Sequence, residues 1–227
     1  MNIAIIPARG GSKRIVRKNI KNFCGKPMIE YAISAALESK LFEHVIVTTD
    51  DNEIADIAKM FGAVTPFRRP PHLADDFTST QPVIAHAIKA CKNIGYKFKN
   101  ICCIYPTAPF ISTEDLKKSL LYMKKKKANY CFPVTEYPSN IFRALTLKND
   151  GTMESLNPKF ELTRTQDIEL TYHDAGQFYW GKESAWLTNP NIHNGGLGYP
   201  IPNWRVVDID TMDDWRRAEI IYSAMNQ

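Results

Sequence analysis

Short apolar runs alternate with helical patterns through the first half of the chain, and no other feature constrains the fold as strongly. The runs are rich in β-branched residues, and each stops at a proline or an aspartate: NIAIIP (2–7), HVIVTT (44–49) and NICCIY (100–105). Apolar residues at helical spacing follow them, over 28–41, 51–61, 80–93 and from 112 onward. This alternation predicts an α/β fold, with a mostly parallel sheet covered by helices on both faces.

The pattern changes after Asn129. Short aromatic runs such as NYCFPVTEY and QFYW are separated by turns there, which predicts a small antiparallel extension within 130–185. The run WRVVDID (204–210) is predicted to be the last strand. Thr211 and Asp214 then have the spacing that caps a closing helix, which we expect to run to about residue 225.

Composition is typical of one enzyme-sized domain. With 227 residues, 44% of them hydrophobic, the chain can bury a sizeable core, and we expect a single domain over 1–227. The five cysteines have no C-x-x-C spacing and the histidines are scattered, which indicates reduced core cysteines and no zinc site. No apolar run reaches the roughly 18 residues of a membrane helix, and the N-terminus lacks the order of a signal peptide. We therefore expect a cytoplasmic protein that does not engage a membrane.

The stretch ARGGSKR directly follows the first predicted strand. In open α/β sheets the ligand lies outside the carboxyl ends of the strands, so this turn is a candidate binding site. Its two glycines let backbone N–H groups turn toward an anion, and nearby side chains add charge and donors: Arg9, Ser12, Lys13 and Lys18. The spacing matches neither the Walker pattern nor the dinucleotide fingerprint, which disfavours a generic ATPase or a dehydrogenase. Because so many basic groups in a short span repel one another, we expect a polyphosphate here rather than a solvated glycine turn.

Two carboxylates, Asp208 and Asp210, close the last predicted strand. Residues two apart on a strand point to the same face, so both carboxylates can converge on one point at the sheet edge. Carboxylate oxygens that share a divalent cation with nucleotide phosphates and several waters are typical of a Mg²⁺ site. For a lone aspartate, capping of the final helix would be the simpler explanation. Two carboxylates opposite a cationic turn favour the metal.

Two further segments are weaker candidates on their own. Tyr105 and Thr107 belong to YPTAP, a rigid turn after the third predicted strand that can wall a substrate pocket. The loop 66–79 carries both arginines and aspartates, and a loop of that length usually either serves a function or is mobile.

These motifs occur in one order through nearly the whole chain. IPARGGSKR, the loop pattern RRP…LADD…T, YPTAP and DIDT together resemble the acylneuraminate (CMP-sialic acid synthetase) cytidylyltransferase family. The resemblance implies a Rossmann-like nucleotidyltransferase fold. It further implies an enzyme that joins CMP from CTP to an acidic eight- or nine-carbon 2-keto sugar, uses Mg²⁺, releases pyrophosphate and works as a homodimer through the antiparallel extension.

Carried over position by position, the resemblance implies a role for residues in each motif. The implied catalytic residues are Arg9, Lys18, Asp208 and Asp210, the two aspartates as metal ligands. The implied nucleotide-binding residues are Ala8, Arg9, Gly10, Gly11, Ser12, Lys13, Lys18, Asn19, Arg69, Thr78 and Thr80, with Asn19 near the ribose and Arg69 and Thr78 beside cytosine. The implied sugar-binding residues are Tyr105, Thr107, Gln177, and Arg164 or Arg143 reaching across from a neighbouring subunit.

The chain departs from the sialic-acid-specific members at two places. Tyr105 stands where they usually carry Gln, and Ala175-Gly176 stands where they carry Asn-Gly. The sequence is therefore most similar to the members that act on pseudaminic acid. Because sugar choice depends on a handful of contacts, activation of N-acetylneuraminic, legionaminic or 3-deoxy-manno-octulosonic acid stays an alternative.

A different class of protein is also compatible with the net charge of +5, namely a non-catalytic nucleic-acid binder. The basic charge is concentrated at one strand end instead of along a face, and the lysine run 124–127 sits where a helix C-terminus explains it. These observations disfavour that alternative, so we expect no nucleic-acid partner.

Overall fold

The computed structural model describes residues 1–189 and 191–225, and within them strands and helices alternate as the sequence predicts. The strands are β1 (Asn2–Pro7), β2 (Asn22–Phe23), β3 (Lys26–Pro27), β4 (His44–Thr48), β5 (Asn100–Ile104), β6 (Tyr130–Glu136), β7 (Leu145–Leu147), β8 (Met153–Ser155), β9 (Tyr172–Asp174), β10 (Phe178–Lys182) and β11 (Leu197–Pro200). The α-helices are α1 (Met28–Ser39), α2 (Asn52–Met60), α3 (Thr80–Asn93), α4 (Thr113–Lys126), α5 (Glu183–Thr188) and α6 (Met212–Met225).

The central sheet is mainly parallel. Its strand order is β11-β6-β10-β5-β1-β4, with β9 added beside β6. β4, β1, β5, β6 and β11 run in one direction, while β10 and β9 run against them. The carboxyl ends of β1, β4 and β5 consequently meet at one edge of the sheet, where a ligand binds in folds of this class.

Both faces of the sheet are buried under helices. Along β1, Ala4 and Ile6 join a core with α1, α2 and α4, whereas Ile3 and Ile5 join a second core with α3 and α5. The predicted α/β architecture is therefore confirmed. No helix in the described part of the chain is long and apolar enough to cross a membrane.

A third apolar cluster ties the N-terminal turn to the C-terminal helix. Ile15 and Phe23, which follow β1, pack with Ile209 and with Trp215 of α6. The Phe23 and Trp215 rings meet edge to face with centroids 5.4 Å apart, a geometry that aromatic pairs prefer. This packing brings the two ends of the sequence to the same edge of the sheet.

The prediction of a strand over 204–210 is wrong. The chain there forms a 3-10 turn, Asn203–Arg205, and continues without pairing to any described strand. The apolar alternation that suggested a strand has another cause, because Val207 and Ile209 pack into the cluster around α6. The cap of α6 is as expected, with Asp214 Oδ2 accepting from the N–H and the hydroxyl of Thr211.

The antiparallel extension predicted within 130–185 takes up only part of that range. β6 and β10 lie inside the central sheet, and β10 pairs antiparallel with both β5 and β6. Within this range, the strands outside the main sheet are β7 and β8, which pair with each other as a two-stranded sheet. Large apolar side chains are exposed on and around this hairpin: Leu145, Leu147, Met153, Leu156 and Leu162.

Candidate active site

The turn after β1 is anchored to the end of β4. The Ala8 N–H donates to the Thr48 carbonyl oxygen at 3.0 Å, and the Gly10 N–H donates to Asp50 Oδ1 at 3.0 Å. A Cβ on Gly10 would lie 2.7 Å from Asp51 Oδ2, so this position admits only glycine without movement. A Cβ on Gly11 would meet no described atom within 4 Å. Packing therefore requires glycine at position 10 but does not require it at position 11.

Carboxylates of the protein itself already neutralise the basic side chains of this turn. Asp76 pairs with Arg9 at 2.5 Å and with Lys13 at 2.6 Å. Asp210 pairs with Arg14 at 2.8 Å and with Lys18 at 3.4 Å, and Asp51 pairs with Arg17 at 2.5 Å. Repulsion among these cations therefore does not require a bound anion, contrary to the prediction, and only the geometry of the turn can support a phosphate site.

The geometry is a cleft of about 260 Å³ at the carboxyl ends of β1 and β5. Nine of the residues assigned to nucleotide or sugar line it: Arg9, Ser12, Lys18, Asn19, Arg69, Thr78, Thr80, Tyr105 and Thr107. They come from the N-terminal turn, the long loop, α3 and the YPTAP turn, so the fold brings together motifs that are far apart in sequence. Ala8, Gly10, Gly11 and Lys13 belong to the same turn but do not line the cleft.

Arg69 is the most buried cation of the cleft, with 3% of its surface exposed. Its Nη2 donates to the Thr48 carbonyl oxygen, while its Nε has no partner in the described structure. Burial lowers the pKa of this guanidinium to about 10, so it keeps its charge at neutral pH. An unpaired buried donor is costly, and its position in the cleft wall suits a ligand acceptor.

The two aspartates lie opposite the cationic turn. Lys18 Nζ donates to the Ile209 carbonyl oxygen at 2.6 Å, which fixes the segment between Asp208 and Asp210 against the turn. Burial, and then the neighbouring Asp210 charge, raise the pKa of the Asp208 carboxyl. Asp210 is therefore paired with Lys18 and lies near enough to Asp208 for its charge to act there, while the convergence of both carboxylates on one ion stays a prediction.

A metal at this place would need ligands beyond the protein. Among the residues that the structure describes, no group of three or more His, Cys, Asp or Glu side chains is placed to hold a metal ion. Two carboxylates fit Mg²⁺ nevertheless, since this ion usually takes one or two carboxylates together with waters and substrate phosphates.

A second cavity, of about 590 Å³, adjoins the cleft. Tyr105 lines both, and Asp208 lines the second. The sequence did not single out several residues here, namely Asp174, Tyr179 and Arg217. Asp174 Oδ2 accepts from the Tyr179 hydroxyl at 2.6 Å and lies 2.7 Å from His193 Nε2.

The hydroxyls of Tyr105 and Tyr179 both have hydrogen-bond partners within the protein. The Tyr105 hydroxyl is 2.8 Å from Thr80 Oγ1, and the Tyr105 and Tyr179 rings lie 5.1 Å apart. Burial raises the pKa of Tyr105 to about 12 and that of Tyr179 further, so both phenols stay neutral. Ring packing consequently joins two hydrogen bonds, that of Tyr105 with Thr80 in the cleft and that of Tyr179 with Asp174 in the second cavity.

Three of the residues assigned to the sugar lie elsewhere. Gln177 is 4% exposed and donates its amide to the Arg205 carbonyl oxygen at 2.7 Å, beneath the cavities rather than in their walls. Arg143 donates to Thr165 Oγ1 at 3.1 Å, beside the exposed Arg164. Neither arginine lines the cleft or the second cavity of its own chain, so a role for them requires a second subunit.

Comparison with known proteins relates the chain to one enzyme family. Residues 3–187 match the family model described as cytidylyltransferase. Over 227 residues, covering 100% of this chain and 98% of the relative, the sequence is 38% identical to a pseudaminic acid cytidylyltransferase of Campylobacter jejuni. It is 35% identical to a CMP-N,N'-diacetyllegionaminic acid synthase of Legionella pneumophila, covering 96% of this chain and 94% of that one.

The fold also matches a solved structure. A CMP:2-keto-3-deoxy-manno-octonic acid synthetase in complex with CTP superimposes with a TM-score of 0.71, at 16% identity, over 99% of both chains. A likeness at that identity establishes the nucleotidyltransferase fold, and the family rests on the sequence matches. The chain belongs to the cytidylyltransferase family.

Proposed function

We propose that this enzyme transfers CMP from CTP to the anomeric hydroxyl of an acidic nonulosonic sugar, with pseudaminic acid as the favoured substrate, and releases pyrophosphate. One observation carries the proposal. The cleft with Arg9 and Lys18 and the cavity with Asp208 share a wall at Tyr105, so a nucleotide and a second substrate have adjoining places.

CTP fits the first cleft by charge and by donor placement. Its triphosphate is assigned to the turn, with Arg9, Ser12, Lys13 and Lys18 as partners. Its phosphates would take the place of the Asp76 carboxylate on Arg9 and Lys13, because several negative charges outcompete one. Asn19 is 5% exposed, and its Nδ2 donates to the Arg9 carbonyl oxygen at 2.9 Å, so it orients the turn beside the ribose. Arg69 and Thr78 are assigned to cytosine, and Thr80 also lines the nucleotide cleft.

The reaction we assign is a direct displacement at the α-phosphorus. The anomeric oxygen forms the new bond to phosphorus, the bond to the β-phosphate oxygen breaks, and pyrophosphate leaves while the hydroxyl proton passes to solvent. Little covalent chemistry is asked of the protein, so in-line positioning and charge stabilisation supply most of the rate. Arg9 and Lys18 are placed to stabilise charge that grows on the phosphates. Mg²⁺, for which Asp208 and Asp210 are the proposed ligands, would add positive charge on the same oxygens when bound.

The choice of sugar depends on the named substrates of the relatives and on Tyr105, which lines both cavities. The C. jejuni relative is named for pseudaminic acid and the L. pneumophila relative for diacetyllegionaminic acid, so both acids belong in any test. Tyr105 presents an aromatic ring where sialic-acid-specific members carry a glutamine. We favour pseudaminic acid on the higher identity together with this wall.

We further propose a cytoplasmic homodimer. The exposed fractions of Leu145, Leu147 and Leu162 are 57%, 68% and 99%, and contiguous exposed apolar side chains typically mark an interaction surface. A second copy seated there would cover them, and would bring its Arg143 or Arg164 toward the neighbouring sugar cavity. The cytoplasm is where CTP is available.

The test is pyrophosphate release by the purified protein with CTP and Mg²⁺, using a panel of pseudaminic, N,N'-diacetyllegionaminic, N-acetylneuraminic and 3-deoxy-manno-octulosonic acids. We expect the highest kcat/KM with pseudaminic acid and no release without the ion. Absence of release with all four acids would contradict the function, and a higher kcat/KM with another acid would correct the substrate.

A further inference from the structure

Arg217 of α6 is the one permanently cationic side chain in the wall of the second cavity, as far as the structure describes it. The other titratable groups of that wall are His173, the neutral phenols Tyr105 and Tyr179, and three aspartates, Asp174, Asp208 and Asp214. An acidic sugar that enters this cavity carries a carboxylate. That carboxylate is repelled by three of the lining groups and attracted permanently by one.

The aspartates of the cavity are already committed to other partners. Asp174 accepts from Tyr179 at 2.6 Å and faces His193. Asp214 accepts from the Thr211 N–H at 2.8 Å as the cap of α6. Asp208 is assigned to the metal. None of these three carboxylates forms an ion pair with Arg217.

The guanidinium of Arg217 has no such commitment. Within the described residues, no carboxylate lies within 4.0 Å of it, although its charge contributes to the lowered pKa of Asp214 after the larger effect of Thr211. The preceding residue differs, since Arg216 pairs with Asp213 of the same helix at 3.6 Å. Arg217 is therefore a cation at the cavity wall that no acidic group in the described structure holds.

We propose that Arg217 binds the carboxylate of the acidic sugar substrate, within the same chain that binds CTP. This inference rests on the proposed function. A guanidinium presents paired N–H donors whose geometry matches a carboxylate, and such charge-assisted pairs are stronger than neutral hydrogen bonds. In a 2-keto sugar acid the carboxylate is bonded to the anomeric carbon, so binding at Arg217 also holds the anomeric carbon within the cavity whose wall includes Tyr105 and Asp208.

The experiment compares Arg217→Gln with Arg216→Gln, a matched change one residue away at a side chain that does not line the cavity. For Arg217→Gln we expect kcat/KM for the sugar acid to fall about tenfold to a hundredfold, the effect of losing one charge-assisted hydrogen bond. The KM for CTP and the stabilisation by CTP should stay as in the unmodified protein. Arg216→Gln should behave as the unmodified protein, and Arg217→Lys should recover part of the loss because it restores charge without the paired donors.

A neutral substrate separates a carboxylate contact from a general disturbance of the cavity. The unmodified protein should prefer the free acid over the methyl ester of the same sugar, and Arg217→Gln should lose most of that preference. A retained preference in Arg217→Gln would overturn the inference, as would loss of the preference in Arg164→Gln alone, which would assign the carboxylate to the partner subunit. Failure of the unmodified protein to turn over any acid would instead contradict the proposed function, and the inference with it.

Discussion

Lys18 Nζ donates to the backbone carbonyl oxygen of Ile209 at 2.6 Å, across 191 positions of sequence. The same ammonium lies 3.4 Å from Asp210 Oδ1. One lysine thus joins the turn after β1 to the segment that carries both aspartates, and its side chain also lines the nucleotide cleft. The relative placement of the proposed phosphate site and the proposed metal site depends on this contact.

Replacing Lys18 by methionine keeps the length of the side chain and removes its charge. We expect kcat to fall by about a hundredfold to a thousandfold, as for loss of a preorganised group that stabilises developing charge. CTP should also raise the melting temperature less than in the unmodified protein, because the variant binds it more weakly. Lys21→Met is the matched control, since Lys21 lies over the Trp215 ring at 5.8 Å and does not line the cleft. Near-normal turnover in Lys18→Met would remove Lys18 from the catalytic set.

Asp76 acts as an internal counterion in the cleft, and its removal should strengthen CTP binding. It pairs with Arg9 and Lys13, and these two cations, Lys13 first, hold the pKa of Asp76 below its usual range. In Asp76→Asn, CTP no longer has to displace a carboxylate, so its Kd should fall about threefold to tenfold, as expected for two exposed ion pairs. Calorimetric titration at low and high salt measures this, and the difference should shrink with salt.

The control for Asp76 is Asp56→Asn, which removes an exposed carboxylate paired with Lys59 at 3.2 Å, outside the cleft. CTP should bind this variant as it binds the unmodified protein. Weaker CTP binding in Asp76→Asn would show that Asp76 helps to hold the nucleotide and does not compete with it.

The two glycines of the turn should respond differently to alanine. In Gly10→Ala the new Cβ meets Asp51, which Arg17 holds in place, so the free energy of unfolding should fall by about 1–3 kcal/mol. In Gly11→Ala the Cβ has open space, so stability should change by less than about 0.5 kcal/mol. If phosphates approach this turn, Gly11→Ala will nevertheless raise the KM for CTP. Denaturant unfolding and steady-state kinetics check the pair, and an unchanged KM would place the phosphates elsewhere.

The Arg17–Asp51 pair should make stability depend on pH in the acidic range. Arg17 lowers the pKa of Asp51 to about 2, from about 3.9 in an unfolded chain. A lowered pKa in the folded state stabilises the fold fully above pH 4, and this contribution declines as the pH falls below 4 and is lost once the pH is below the folded pKa of about 2. Arg17→Met should therefore cost about 1 kcal/mol at pH 7, with the shift discounted for solvent exposure, and progressively less as the pH falls from 4 through 2. A constant difference between the two proteins over this range would contradict the assignment.

Much of the fold and of the nucleotide cleft could be predicted from the sequence, because both depend on local signals. Apolar runs that stop at Pro7, Asp50 and Pro106 placed three strand ends, and parallel strands bring such ends to one edge of the sheet. Residues just after these ends therefore had to lie near one another. That reasoning is enough to bring Arg9 and Tyr105 into the same cleft.

The rest depended on contacts between distant segments. The run 204–210 has the alternation of a strand, but Ile209 packs against α6 and the sheet has no place for it. Asp76 neutralises the turn from 67 positions away from Arg9, which no local pattern reveals. The pairing of Asp174 with Tyr179 and His193 also required the three-dimensional arrangement of β9, β10 and the segment before β11.

That last pairing leads to a prediction about the sugar cavity. Asp174 Oδ2 accepts a hydrogen bond from the Tyr179 hydroxyl. The Tyr179 ring packs on the ring of Tyr105, and Tyr105 lies between the two cavities. Tyr179→Phe removes the donor and Asp174→Ala removes the acceptor, so both changes break the same hydrogen bond. Each should lower kcat/KM for the sugar acid by about tenfold and leave the KM for CTP unchanged. Tyr172→Phe, which removes an exposed hydroxyl bonded to Glu136 at 3.2 Å, is the matched control.

The double variant tests whether the two residues act together. If Asp174 works by orienting Tyr179, the loss in the double variant should equal the larger single loss, because the second change has nothing left to break. Multiplied losses would mean that each residue contacts the sugar independently, and Asp174 would then be a direct ligand of the substrate. Steady-state kinetics of the four proteins with one acid distinguishes these results, because the two models differ by about tenfold in kcat/KM.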